Sequence, residues 1–371
     1  MKPLMKTSAI LLLLLISYSA YTQNIAKTDT GTVNCAAYKI LIPENWQNKL
    51  VMYAHGYEFM GTPSGIRQPG FMQMASIFLE RGFAVAASAY AYQGFALARG
   101  VDDTEDLRQY FWDKYGMPDS TFMVGQSMGG GISVAMMENY SENYAGALAM
   151  CPLSSRPYLQ TRKEFDARVL FDALFPGIVK PVEEVMDIQK DYTPLAYAEL
   201  GSVTKALAED SLKAKELARL FDLKVEDIPF SIFFGEAVLR DVAVKCSGNP
   251  YDNSNTIYSG FSSDWEINQK VVRLKATANP ELIFEKYDRT GDIGKPVVLM
   301  HTIYDQLISP QYGEVNFENM VHQQGKDHFL TVKMCNRQGH CNFTPEQIGT
   351  SFDELRHWVN TGEKARPEMM E

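Results

Sequence analysis

Three side chains of the types that cooperate in acyl transfer stand far apart in this chain. The first is Ser127, in the stretch Val124-Gly125-Gln126-Ser127-Met128-Gly129-Gly130. An apolar, strand-like run precedes it at residues 121–124, and an apolar helical run follows at residues 131–140. Gly-x-Ser-x-Gly by itself is common in loops, but between a strand and a helix it reads as a nucleophile elbow. The small residues two before and two after the serine let the chain cross itself, and the turn pushes the hydroxyl out of the sheet. A serine hydroxyl attacks poorly until a base takes its proton, and the base needs an acid to orient it.

The six histidines can be sorted for the base. His301 lies inside a strand and reads as a satisfied core group or a support behind the reacting residues. His322 and His328 flank a turn, His357 sits in the last helix, and His55 scaffolds a strand-end turn. His340, on the glycine-flanked loop at residues 335–343, is the candidate base. Asp305, just past a strand at residues 295–301, is the candidate acid; Asp288 and Asp292 precede that strand instead. The order Ser127, Asp305, His340 is the one that accompanies this elbow. Two backbone N–H groups must also meet the oxyanion of the tetrahedral intermediate. Met128, next to the nucleophile, and Tyr57, in the turn His55-Gly56-Tyr57, are the candidate donors.

The elements that must hold these groups alternate. Strand-like runs cover residues 32–42 (one or two strands), 49–54, 83–89, 121–124, 145–151, 295–301 and 328–334. Helical runs cover residues 71–81, 104–114 (with Asp102 or Asp103 as cap), 131–140, 312–323 and 345–359. Such alternation calls for a largely parallel sheet covered on both faces, with ligands at the carboxyl ends of its strands. It fails between residues 153 and 292, where Pro176, Pro181 and Pro194 punctuate short apolar helices and residues 210–223 form a charged amphipathic one. That stretch reads as an inserted, mainly helical cap. The expected division is residues 1–22 as a signal peptide, 23–152 and 293–371 as the core, and 153–292 as the cap.

Composition narrows the class. With 371 residues, 46% hydrophobic and 22% charged, the chain can bury a large core. A net charge of -10 without a Lys/Arg cluster disfavours nucleic acid and anionic membranes as partners. Lys2 and Lys6 precede a short apolar run at residues 9–16 and then small and polar residues, the pattern of a secretory signal peptide too short to span a membrane. The expectation is an exported protein, periplasmic or secreted, with no membrane span. Export permits disulfides. Cys335 and Cys341 bracket the His340 loop, where a disulfide would restrain the base; the alternative is two thiols packed as small hydrophobes. The cysteine spacing matches no zinc motif, so no metal is expected.

Strand-His55-Gly56, strand-Gly125-Gln126-Ser127-Met128-Gly129, strand-x-Asp305 and Gly339-His340 together resemble the α/β-hydrolase superfamily. The resemblance covers residues 35–151 and 293–360. It implies an α/β fold with a mostly parallel eight-stranded sheet flanked by helices, here with a helical cap insertion. It also implies hydrolysis of an ester, thioester or amide through an acyl-enzyme, without metal or organic cofactor. The stretch His55-Gly56-Tyr57-Glu58 departs from the His-Gly-Gly-Gly oxyanion motif of one lipase and esterase branch.

The substrate is less legible. Tyr57, Phe59, Tyr90, Tyr92, Phe95, Tyr158, Phe233, Phe234 and Tyr258 could line an apolar pocket, and Tyr92 and Tyr158 are the expected substrate contacts. The leading expectation is a carboxylic ester of a medium-sized, aromatic or plant-derived acid. A serine peptidase on short peptides is the alternative, with cap acids such as Glu183, Glu184, Glu199 and Glu236 to hold a substrate amine. A non-catalytic binding protein with this fold, or a haloperoxidase-like or lyase activity on the same residues, completes the set. Oligomeric state is not readable.

Overall fold

The computed structural model describes residues 24–371, so the expected signal peptide lies outside the described residues. Nine strands form one sheet: β1 (Ile25–Val33), β2 (Ala36–Pro43), β3 (Lys49–Ala54), β4 (Phe83–Ser88), β5 (Ser120–Gln126), β6 (Gly146–Met150), β7 (Val297–Tyr304), β8 (Leu330–Gln338) and β9 (Glu368–Met370). Their order is β1-β2-β4-β3-β5-β6-β7-β8-β9. β1 and β2 form an antiparallel hairpin and β2 runs antiparallel to β4. Every other neighbouring pair is parallel. This is the α/β-hydrolase fold, with nine strands where eight were expected. The additional strand is β9, three residues without a period of their own. It is held by pairing with β8, by the Lys333–Glu368 ion pair at 2.6 Å and by Thr331 Oγ1 donating to the carbonyl of Ala365 at 2.8 Å.

Because the central strands are covered on both faces, they read as unbroken apolar runs: every residue of β4 and of β6 is buried. The covering helices are α1 (Pro69–Leu79), α2 (Leu97–Tyr115) and α3 (Met128–Asn139) before the insertion. The insertion carries α4 (Pro157–Leu174), α5 (Val182–Met186), α6 (Leu200–Glu209), α7 (Ser211–Leu220), α8 (Ile228–Cys246), α9 (Asp264–Lys270) and α10 (Glu281–Phe284). Core helices α11 (Glu314–Gln323) and α12 (Pro345–Thr361) follow β7 and β8.

Three helices start earlier than their sequence suggests, α1 by only two residues, at Pro69. α2 begins seven residues before the expected start at residue 104, because Leu97 and Val101 already face the core. Asp103 is therefore no cap: its carboxylate accepts the Ala91 N–H at 2.8 Å and pairs with Arg99 at 2.6 Å. Asp102 is turned toward Lys286, at 2.7 Å. α3 begins at Met128 rather than at residue 131, with three consecutive glycines inside its first turn. They are there for contact. A Cβ on Gly129 would collide with the backbone carbonyl of Ala54, at the end of β3.

Helices α4 and α8 of the segment between β6 and β7 form a layer over Ser127, at the carboxyl end of β5. The returning residues 287–294 run back along α3 to Glu138 and Met137. Between α4 and α8 the buried Arg168 guanidinium lies 3.5 Å from Glu236. Polar groups tie the layer to the core. Arg289, at the returning end, donates to the carbonyls of Gly131 and Leu153. Asp241 on α8 accepts the Phe95 N–H at 2.5 Å, while Lys245 donates to the carbonyls of Gln93 and Phe95.

The contact between α3 and β3 supplies a first prediction. Gly129→Ala forces carbonyl and helix apart and is expected to lower unfolding stability by about 3 kcal/mol, whereas Gly201→Ala, on an exposed part of α6 with open space around it, is expected to change it by less than about 1 kcal/mol. Urea titration of the two variants checks the difference.

Candidate active site

The turn from β5 into α3 holds Ser127 at φ 58° and ψ -125°, a left-handed geometry that a side chain rarely adopts. It is over-determined by its surroundings. The Ser127 N–H donates to the Met150 carbonyl at 2.9 Å, and the Ser127 carbonyl accepts from Gly131 and Leu153. Ser127 Oγ thus emerges at the carboxyl end of β5, 2.8 Å from His340 Nε2. His340 Nδ1–H donates to Asp305 Oδ2 at 2.7 Å. The structure brings the three expected side chains into one chain of hydrogen bonds.

Each partner is held by its own loop. Asp305 follows β7 and is buried; its Oδ1 accepts the N–H groups of Leu307 and Ile308 at 2.8 and 2.9 Å. The His340 loop is pinned by Gly339 N–H on the Tyr304 carbonyl and by His340 N–H on Gln306 Oε1, at 2.8 and 3.0 Å. Burial pushes the Asp305 carboxyl up, but the charges and hydrogen bonds of His340 and His301 outweigh it and hold it well below the usual carboxylate range. It stays ionised.

His301 is not merely core filling. Its Nε2 lies 3.2 Å from Asp305 Oδ2 and 2.9 Å from the Ile308 carbonyl, while Nδ1 meets Glu314 Oε1. Acceptors on both sides favour a ring that carries protons on both nitrogens. Burial lowers its pKa, yet the hydrogen bonds to Asp305 and Glu314 raise it to about 9. Asp305 therefore sits between two imidazoles. The loop contact from Gln306 and this extension through His301 to Glu314 have no sequence signature, since they depend on how β7 and α11 pack.

His55 is buried and stacked on Tyr90, with ring centroids 4.1 Å apart. Its Nδ1 lies 2.8 Å from the Gly56 carbonyl, and its own carbonyl accepts from Tyr90 Oη at 3.0 Å. That stack shapes the turn in which Gly56 packs against Ser127. The N–H of Tyr57 follows Gly56, and the N–H of Met128 belongs to the first turn of α3, where no intrahelical acceptor exists. Neither donates to a backbone acceptor outside its own element among the described residues. His322 and His357 are exposed, paired with Asp327 and Glu363.

The expected Cys335–Cys341 bridge is not formed. The disulfide joins Cys151 to Cys341 across 190 residues, while Cys335 is buried within β8 and contacts Gln347 Nε2 at 3.1 Å. The parallel topology explains the exchange. Cys151 leaves β6 at the same edge as the loop after β8, whereas Cys335 lies inside its strand with its side chain in the core. The Cys151–Cys341 bridge pins the residue next to His340 to the strand beside the elbow. The Cys151, His340 and Cys341 ligand atoms lie within 4.8 Å of one another, but the joined sulfurs leave no thiolate for a metal.

Beneath the cap a narrow cavity of about 40 Å³ opens on Ser127 and Met128. Tyr57, Phe95, Phe234, Val238 and Ile308 make most of its wall apolar; Gln160, Thr161 and Glu164 of α4 supply the polar part. Tyr92 and Tyr158, the expected substrate contacts, are not among its walls. Tyr92 is 40% exposed with Lys245 Nζ over its ring, and Tyr158 packs on Tyr251 and Phe284. The cap acids are elsewhere too: Glu183 and Glu184 are in the short α5, Glu199 caps Ala196 N–H, and Glu236 pairs with Arg168. The acid that faces the cavity is Glu164, which sits on α4 in i,i+4 spacing from Gln160; that helical spacing was its only sequence signal.

No family model matches the chain, and no curated protein matches its sequence. Among solved structures, an esterase of Pyrococcus furiosus superposes with a TM-score of 0.48 at 14% identity, over 90% of this chain and 91% of its own. Est1E from Butyrivibrio proteoclasticus, with ferulic acid bound, gives 0.48 at 11%, over 90% and 99%. An acylaminoacyl peptidase of Pyrococcus horikoshii gives 0.48 at 8%, over 92% of this chain and 42% of its own.

Two predictions follow from the loops that hold His340. Peptide mapping without reduction is expected to recover Cys151 linked to Cys341, and Cys341→Ser to cost about 2–4 kcal/mol in chemical denaturation; free thiols at both positions in the oxidised protein would contradict the pairing. The second concerns His301. Because its folded pKa of about 9 lies above the unfolded value near ~6.5, its stabilising contribution is complete below the unfolded value and is lost as pH rises through about 9. The melting temperature is expected to fall over that window, and His301→Gln to flatten the fall; parallel curves for the two proteins would refute it.

Proposed function

We propose that this protein is an exported serine hydrolase that cleaves carboxylic esters through an acyl-enzyme. The observation that carries the reading is the unbroken line Ser127 Oγ, His340 Nε2, His340 Nδ1, Asp305 Oδ2, at 2.8 and 2.7 Å, ending at an apolar cavity. His340 takes the Ser127 proton as Oγ attacks the ester carbonyl carbon, and Asp305 stabilises the resulting imidazolium. The N–H groups of Tyr57 and Met128 receive the oxyanion. His340 Nε2–H then protonates the departing alkoxide. In the second half His340 removes a proton from water, the hydroxide attacks the acyl-enzyme, and the acid leaves as Ser127 Oγ recovers its proton.

The narrow cavity favours a short acyl group over the medium-sized aromatic acid expected from the aromatic count; a larger acid needs the cap to move. The disulfide and the basic-then-apolar N-terminus support an oxidising compartment outside the cytoplasm. One observation favours a second reading, cleavage of short peptides. Glu164 opens onto the cavity, where an acid could hold a substrate amine.

A fluorophosphonate probe is expected to label Ser127 and to leave Ser127→Ala unlabelled. Turnover of p-nitrophenyl acetate and butyrate is expected to fall in that variant by at least about a thousandfold. Aminoacyl-anilides turned over faster than the esters would move the assignment to a peptidase. A folded protein that neither labels nor hydrolyses would be a binding protein.

A further inference from the structure

The cavity wall over Ser127 is apolar except along one face of α4, where two acceptors remain without donors. Gln160 is 4% exposed, and its Oε1 is buried with no hydrogen-bond partner; its Nε2 makes only a long contact, 3.4 Å, to the Leu307 carbonyl. One turn on, Glu164 is half-buried and lies against Gly235 of α8, with Lys163 as its charged neighbour and no hydrogen bond to its carboxyl. Lys163 gives it no direct partner, because its ammonium is spent over the Tyr312 ring at 4.6 Å. Leaving the buried Gln160 amide oxygen unpaired is unfavourable, and the unbonded Glu164 carboxyl in the same wall gives a ligand a second acceptor to complete.

The two side chains are four residues apart on a helix, so they project on the same face toward the same space. With the Gln160 amide N–H turned to the Leu307 carbonyl, they offer the cavity an amide oxygen and, once Glu164 is ionised, a carboxylate; burial pushes the Glu164 carboxyl up to about 7. The group that satisfies both is a compact donor with a positive charge, an ammonium. Its short reach is set by the volume: about 40 Å³ is room for roughly three water-sized groups.

We propose that Gln160 and Glu164 form a subsite for a primary ammonium on a short acyl chain, so that the preferred substrates are esters or amides of small amino acids. The inference rests on the reading of Ser127 as nucleophile and adds the class of acid it receives. Glu164 acts here by binding; it moves no proton in the reaction. An amino acid whose amine is blocked, or a hydrocarbon acid of the same shape, leaves the two acceptors unpaired and is discriminated against, as sites built to bond a polar group reject the analogue lacking it.

The test compares isosteric pairs at mildly alkaline pH, where amine and carboxyl can carry opposite charges. p-Nitrophenyl esters of glycine and β-alanine are set against propionate and butyrate, with Ser127→Ala rates subtracted. The wild-type protein is expected to favour the amino ester by at least about tenfold in kcat/KM. Glu164→Gln is expected to reduce that ratio by at least about tenfold, through KM more than kcat, and Gln160→Leu by severalfold. Equal or reversed preference in the wild type overturns the proposal, as does a ratio that survives both variants. Should Glu164→Gln fail to fold, the wild-type pairs and Gln160→Leu still decide. Propionate hydrolysis without amino preference sinks the subsite alone; loss of fluorophosphonate labelling and of all hydrolysis sinks the reading of Ser127 with it.

Discussion

The whole site hangs on a single crossing of chains: the backbone turns at Ser127 with φ 58°, and α3 starts at once against the end of β3. A left-handed serine costs on the order of 1–3 kcal/mol, and the turn is retained because its neighbours leave no alternative. The Met150 carbonyl claims its N–H, Gly131 and Leu153 claim its carbonyl, and Gly129 lets the helix touch Ala54. From that crossing the rest follows in sequence. The hydroxyl clears the sheet, the first N–H of α3 is left free beside it, and Gly56 must be small because its Cα faces Ser127. Moving the helix by the width of a methyl group would displace the hydroxyl, the N–H and the β3 turn together.

A second constraint works at the other end of the hydrogen-bond chain. Asp305 is buried and accepts from two backbone N–H groups and two imidazoles, so its position is fixed by β7 rather than by His340. His340 stands instead on a loop whose ends leave β8 and enter α12. Three ties restrain it: the Gly339 N–H, the Gln306 side chain and the disulfide to Cys151. The disulfide is the strongest of these in kind, because it joins Cys341, the neighbour of His340, to the end of the strand that also accepts the Ser127 N–H. Ser127 and His340 are thus referenced to the same short segment, the end of β6.

What could be read from residues alone divides along the same lines. The core strands were legible because strands buried on both faces show as apolar runs, and Ser127, Asp305 and His340 were legible because each stands where such a run stops. The early starts of α2 and α3 were hidden by glycines that serve close contact rather than chain reversal. β9 was hidden because three residues carry no period. The Cys151–Cys341 bridge needed the third dimension: Cys335 is nearer in sequence, but strand direction buries it away from the loop. Tyr92 and Tyr158 failed as cavity residues because aromatic content does not say which way a ring points, and both found partners elsewhere in the cap and its seam.

The cap is where sequence patterning says least and polar accounting says most. Its buried charges are nearly all spent on holding it together or on docking it: Arg168 with Glu236, Asp241 and Lys245 with the chain at residues 93–95, Arg289 with the carbonyls behind the elbow. Those groups are excluded from ligand binding by the bonds they already make. Subtracting them leaves Gln160 and Glu164 on α4, acceptors without donors in a wall that is otherwise apolar. In a site where Ser127 is the proposed nucleophile and the apolar walls supply only size, the unpaired acceptors are the groups able to discriminate between acids of equal shape.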